Sequence, residues 1–204
     1  MSIEEFNAFH DTLEKAMNNN EVEVVAQMFR DPKFGNKFYE LYLTFAVEQP
    51  TTGFLKLLTN MGIPIVAWRP FAIALQNNRK SNALIVLEHM ARPLAEPIQL
   101  LQNCVMWGHL EFINKILPLC DNAERREAAT LALVTAVRHN NPQAVKRLLP
   151  HANIPAVQNE LRRLGLDNSH PQHWETLNTY EAKVQRKAIA NELPSRTRKT
   201  VRKL

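Results

Sequence analysis

Glycine is scarce in this chain: there are five in 204 residues (Gly35, Gly53, Gly62, Gly108 and Gly165). No two lie close enough to build a loop that cradles phosphate, which speaks against nucleotide enzymes of the P-loop and dinucleotide-binding kinds. Cysteine is scarcer still. Cys104 and Cys120 sit in separate helical-looking segments, where a free cysteine acts as a small core hydrophobe, and so low a count suggests a reducing compartment. No apolar run approaches about 18 residues, so no membrane span is expected. The opening MSIEEFNAFHD places acids where a secretory signal has basic residues and then an apolar run. An activated-serine elbow, a metalloprotease helix motif and the kinase set are all missing. The expectation is a non-enzymatic protein without cofactor or metal, in the cytoplasm of the producing cell or of a host.

Charge is present but unevenly placed. From Lys183 to Leu204 eight basic residues face one acid, Glu192, whereas the chain before Lys183 carries 17 basic and 19 acidic groups. The chain reads as a near-neutral body with a basic end.

Self-comparison brings out a repeat. The stretch CVMWGHLEFINKIL (104–117) aligns without a gap on AVRHNNPQAVKRLL (136–149), AMNNNEVEVVAQMF (16–29) and ALQNNRKSNALIVL (74–87), and on AVEQPTTGFLKLL (46–58) with one residue deleted. Its anchors Ala16, Ala46, Ala74, Cys104 and Ala136 recur at a nearly constant spacing of about 30 residues, within the range of repeat arrays. Each unit reads as two helices around a tight turn. In the fourth, a helix from Pro97 to Trp107 is ended by Gly108, which can take a positive φ; Leu110, Phe112, Ile113, Ile116 and Leu117 then form an apolar stripe. In the fifth, Asn140 and Asn141 supply the turn and Pro142 starts the next helix. A small residue at each anchor allows close helix approach, and a lone pair cannot bury its apolar face without a neighbour.

On these residues the chain resembles the ankyrin-repeat family. CVMWGHLEFINKIL is similar to the core in which a small pair precedes two variable residues, Gly-His, Glu and an apolar run. Arg69-Pro70-Phe71-Ala72 is similar to the Thr-Pro-Leu-His helix start, and His151-Ala152-Asn153-Ile154 and Met61-Gly62-Ile63-Pro64-Ile65 to the turn opening the hairpin fingers. The resemblance covers residues 11 to about 155. The units are shorter than the family's typical repeat of about 33 residues, and short loops are expected in place of long fingers. The fold implied is an all-α, ankyrin-like helical solenoid of about five degenerate pairs over residues 1–155, with a helical cap over 156–193 and a basic tail over 194–204.

The function implied is protein binding on a concave face, inhibiting or recruiting a partner. Degenerate arrays of this texture resemble those of bacterial effectors and of some viral or phage proteins. In such arrays the two residues after the small pair end the first helix and face the groove. Here they are Asn18 and Asn19, Glu48 and Gln49, Gln76 and Asn77, Met106 and Trp107, Arg138 and His139. With helix layers about 8 to 10 Å apart, Met106, Trp107, Arg138 and His139 are expected to form one patch, with Trp and Arg as favoured anchors. The competing reading has Trp107 covering its neighbouring repeat. Trp68 and Arg69 are candidates to extend the surface.

Two polar clusters raise the question of a metal site. Cys104, His109 and Glu111 lack a second Cys/His pair at zinc-like spacing, so packing and capping roles are expected. His170 and His173 are separated by Pro171 and have only Glu175 nearby, so a loop entering a last helix, with Trp174 docked, is expected instead. After Pro155 one short helix (Val157, Leu161, Leu164, Leu166) and a second from Trp174 to Leu193 (Leu177, Tyr180, Val184, Ala188) are expected. The tail cations Arg196, Arg198, Lys199, Arg202 and Lys203 suit nucleic-acid phosphates or an acidic surface, the alternative to a purely solubilising tail. Arg186-Lys187 and Arg198-Lys199 also resemble a bipartite nuclear-import signal, which would act in a eukaryotic cell.

Overall fold

The computed structural model describes residues 2–30, 39–94, 96–166 and 170–192. Its regular elements are helical: twelve α-helices and three 3-10 segments among the described residues. The extended backbone contributes one isolated parallel bridge, Ile65 with Met90. The all-α expectation therefore holds, and among the described residues no helix is long and apolar enough to cross a membrane. The chain divides into two compact units, Met1–Asp121 and Asn122–Leu204.

The first unit contains α1 (Ile3–Asn18), α2 (Val22–Arg30), α3 (Tyr39–Glu48), α4 (Gly53–Asn60), α5 (Arg69–Gln76), α6 (Lys80–His89), α7 (Pro97–Met106) and α8 (Ile113–Ile116). Local signals explain the starts. The Ser2 hydroxyl accepts from the Glu5 N–H at 3.1 Å and the Glu5 carboxylate accepts from the Ser2 N–H at 2.9 Å, a capping box that satisfies two orphan groups. Pro70 and Pro97 occupy the first turns of α5 and α7, where a missing N–H costs nothing.

Packing sorts these helices into two layers. In one, α3 packs on α5 and α5 on α7; in the other, α2 packs on α4 and α4 on α6. Phe54, Leu55, Leu58, Phe71, Leu75, Leu100 and Leu101 are buried between them, each stabilising the fold by about 1.5–3 kcal/mol. Phe71 meets Phe112 edge-on, with ring centroids 5.3 Å apart. The apolar stripe from Leu110 to Leu117 is buried as expected. Its helix, however, is broken into 3-10 (Leu110–Phe112), α8 and 3-10 (Leu117–Leu119). Pro118 sits in the last piece, where it has no N–H to return to the preceding turn.

The turn of the repeat frame recurs as one set of hydrogen bonds. The N–H of Glu21, Arg79, His109 and Asn141 reaches back to the carbonyl of Ala16, Ala74, Cys104 and Ala136, at 2.8, 2.7, 2.9 and 2.9 Å. The residue before each donor is left-handed: Asn20 (φ 59°), Asn78 (55°), Gly108 (73°) and Asn140 (50°). This is the Schellman closure, which glycine and asparagine tolerate best.

The Ala46 frame departs from it for a covalent reason. Its left-handed position is Pro50, whose ring holds φ negative and which has no N–H to give Val47. A side chain takes over: Asn82, buried on α6, donates through Nδ2 to the carbonyls of Val47 and Gln49, both at 3.0 Å.

The second unit contains α9 (Asn122–Arg138), α10 (Pro142–Leu148), α11 (Ile154–Arg163) and α12 (Pro171–Glu192), with a 3-10 turn at Leu149–His151. Helix α9 packs against both α10 and α11. Its buried face is Ala128, Ala129, Ala132, Leu133, Ala136 and Val137, and the alanines permit close approach. Asn141 caps α10 by accepting from the Ala144 N–H at 3.0 Å, with Pro142 in the first turn. The two helices expected after Pro155 are present as α11 and α12. Their apolar stripes are shorter than expected. Leu161 is buried but Leu164, past the end of α11, is exposed, and on α12 Leu177 is buried while Val184 is half exposed.

Candidate binding surface

The buried His109 decides what lies beside what in the first unit. Its main-chain N–H closes the turn after α7 on Cys104, and its Nε2–H donates to the Leu75 carbonyl in the last turn of α5 at 2.9 Å. The C-terminal ends of α5 and α7 are thereby held together. Gln76 and Asn77 end one helix, Met106 and Trp107 end the other, and all four are exposed. The two large side chains show 50% (Met106) and 42% (Trp107) of their surface, so Trp107 is only partly covered.

Asn82 extends this rim. Through its two bonds the last turn of α3, with exposed Glu48 and half-buried Gln49, is tied to α6. Lys80 Nζ then meets Glu111 Oε1 at 2.8 Å, joining the turn after α5 to the turn after α7. The hydrogen bond from the Lys80 ammonium is the main reason the Glu111 carboxyl lies below the usual carboxylate range. Both partners are about half exposed, so the pair contributes orientation more than stability.

Cys104 is fully buried beneath the rim. Burial, and secondarily the negative charge of Glu111, pushes its thiol far above the ordinary range, and a thiol so held does not form the reactive thiolate at neutral pH. The capping role expected of His109 and the packing role expected of Cys104 are what their surroundings provide.

Trp68 and Arg69 sit elsewhere. Trp68 is the N-cap residue of α5 and Arg69 its first residue, so the length of that helix, about 12 Å of rise, separates them from Gln76. They do not adjoin the rim, because they flank the opposite end of the same helix.

Arg138 and His139 are exposed at the end of α9, in the second unit. Their turn is braced by α12. The Asn140 side-chain oxygen accepts from His173 Nε2–H at 2.9 Å and from Gln172 Nε2 at 3.2 Å. The rings of His170 and His173 lie 5.7 Å apart, centroid to centroid. Burial, with a smaller contribution from His170, lowers the His173 pKa and keeps this imidazole neutral at pH 7. Trp174, expected to dock, is half-buried with the Arg162 guanidinium 5.4 Å above its ring. Among the described residues no three His, Cys, Asp or Glu side chains gather as metal ligands.

No family model, curated protein or solved structure matches the chain. The surface itself is therefore what bears on function. The tail residues Arg196, Arg198, Lys199, Arg202 and Lys203 lie outside the described residues. Sequence reasoning missed Asn82 and the Lys80–Glu111 pair. The signal for Asn82 was available in Pro50, which breaks the turn pattern and leaves a carbonyl in need of a donor.

Proposed function

We propose that the chain is an ankyrin-like interaction protein that grips a partner protein through the rim of its first-helix ends, and so inhibits or recruits it without chemistry of its own. The observation that carries this reading is the His109–Leu75 bond, which holds the exposed ends of α5 and α7 together, so that Gln76 and Asn77 stand beside the two large apolar side chains of Met106 and Trp107. Trp is a favoured interface anchor, and a half-exposed Trp flanked by amides is the composition of a binding hot spot with a polar edge. The recurring turn supports the ankyrin-like frame, since it places the variable pair at the helix end in each frame that has it. Arg138 and His139 offer the equivalent positions on the second unit.

The test is affinity capture from the native cell, comparing the wild-type chain with Trp107→Ala plus Met106→Ala and with His139→Ala. Partners captured by the wild type should be lost or weakened by at least about tenfold in the rim variant, a change of roughly 1.4 kcal/mol, with the thermal transition unchanged. Retention of every partner by both variants would overturn the assignment.

A further inference from the structure

The second half of α12 is solvent-facing, and where Lys183, Val184 and Gln185 approach their unit they line open grooves beside Leu149, Arg125 and Ile154 and not its core. Every described side chain from Lys183 to Ala190 is exposed, so about 12 Å of regular helix carries its own hydrogen bonds and little else. At about 100° per residue, Lys183, Arg186 and Lys187 fall within an arc of about 100°, roughly a third of a turn away from His173 and Leu177, through which α12 is buried. The one carboxylate from Thr176 to Ala190 is Glu181, on another face of the helix and bonded to Gln185 at 3.4 Å.

Charge follows the division into units. The first has ten basic and thirteen acidic residues, the second fifteen basic and seven acidic.

We infer that this exposed half of α12 is a binding site for double-stranded DNA, with Lys183, Arg186 and Lys187 neutralising backbone phosphates. The dimensions agree. A helix with side chains is about 10–12 Å across, and the B-form major groove is about 12 Å wide, while that of A-form RNA is too narrow to enter. The basic arc faces away from the side on which Leu177, Val184 and Gln185 meet the unit, so the arc itself is open to the groove. A membrane is the poorer fit, because an interfacial helix needs one broad face of large apolar residues. Here Val184 and Ile189, the large exposed apolar residues, are about 140° apart around the helix. Contacts to backbone phosphates carry no sequence information, so the affinity they supply is sequence-independent. The site is distinct from the tail cations and from the rim, and neither reading depends on the other.

The experiment is fluorescence anisotropy with a labelled mixed-sequence duplex and the full chain, across about 50 to 200 mM salt. Three phosphate contacts contribute about −2.7 to the slope of log K against log salt, or roughly 40-fold in affinity across that range. The triple variant K183A/R186A/K187A should lose that contribution. The control K15A/K56A/K115A, with the same net charge but altered in the first unit at exposed positions, should keep it. The chain lacking residues 194–204 should bind more weakly yet retain the same sensitivity to the triple substitution. Equal slopes for the triple variant and wild type, loss of all binding on removal of the tail alone, or binding to phosphatidylserine vesicles but not to duplex would each overturn the inference.

Discussion

Replacing Asn82 with alanine tests the account of the Ala46 turn most directly. The substitution removes both donors that reach Val47 and Gln49, and Pro50 offers the Val47 carbonyl no N–H in their place. A buried acceptor left without a partner costs about 1–3 kcal/mol. The Val47 side chain is fully buried, whereas Gln49 is half-buried and water can reach it. One carbonyl therefore bears most of the loss. Removing the Asn82 oxygen, itself buried without a partner, returns part of it. The net destabilisation works out at about 2 kcal/mol, which for a unit of this size lowers the thermal midpoint by roughly 6–10 °C. Thermal and urea unfolding followed by circular dichroism would measure it, with an unchanged urea slope confirming that stability alone moved.

A second substitution separates this mechanism from simple loss of packing. Pro50→Gly restores an N–H and permits a positive φ, so in the Asn82→Ala background it should recover about 1 kcal/mol that it does not contribute in the wild type. A change below about 0.5 kcal/mol for Asn82→Ala, within the range of ordinary surface substitutions, would refute the reasoning. So would strict additivity in the double variant.

Other consequences follow from the same structure. His109→Ala should cost about 1–3 kcal/mol by orphaning the Leu75 carbonyl, and His109→Gln, which keeps a donor, should cost less in the same unfolding assay. Gly108→Ala meets no atom within 4 Å, so its cost should be the left-handed backbone alone, about 1–2 kcal/mol, read from a denaturant midpoint. Asn20→Gly and Asn78→Gly should be close to neutral, whereas Asn140→Gly should destabilise because it also removes the acceptor for His173 and Gln172. The lowered His173 pKa means that the unfolded chain binds more protons just below its ordinary value of about 6.5. Stability should therefore fall as pH drops through that value toward the lower native one, and level off beneath it. Urea midpoints at about pH 7.5 and about pH 5.5 should draw closer together in His173→Gln.

The turns were legible because they depend on short-range chemistry. A small residue followed four positions later by Gly or Asn implies a left-handed closure, and Ala16, Ala74, Cys104 and Ala136 each begin one. The burial of Leu110 through Leu117 was legible from spacing alone. What stayed hidden depends on partners distant in the chain. Nothing local ties Asn82 to a helix end 35 residues earlier. The orientation of Trp68 follows from where α5 begins, one residue later. The half-exposure of Val184 follows from the open groove it lines with Arg125, Arg126 and Ile154, since periodicity places a residue on a face of α12 without saying how closely its neighbours approach.

Two of the side-chain ties between helix pairs in the first unit point backwards along the chain. Asn82 closes an end 35 residues earlier, and His109 closes one 34 residues earlier. During synthesis at about 5–20 residues per second, the Val47 and Gln49 carbonyls and the Leu75 carbonyl therefore emerge roughly 2–7 seconds before the side chains that close them. At both helix ends a later stretch of chain finishes an earlier one, so the closing of these ends trails their synthesis by about one repeat.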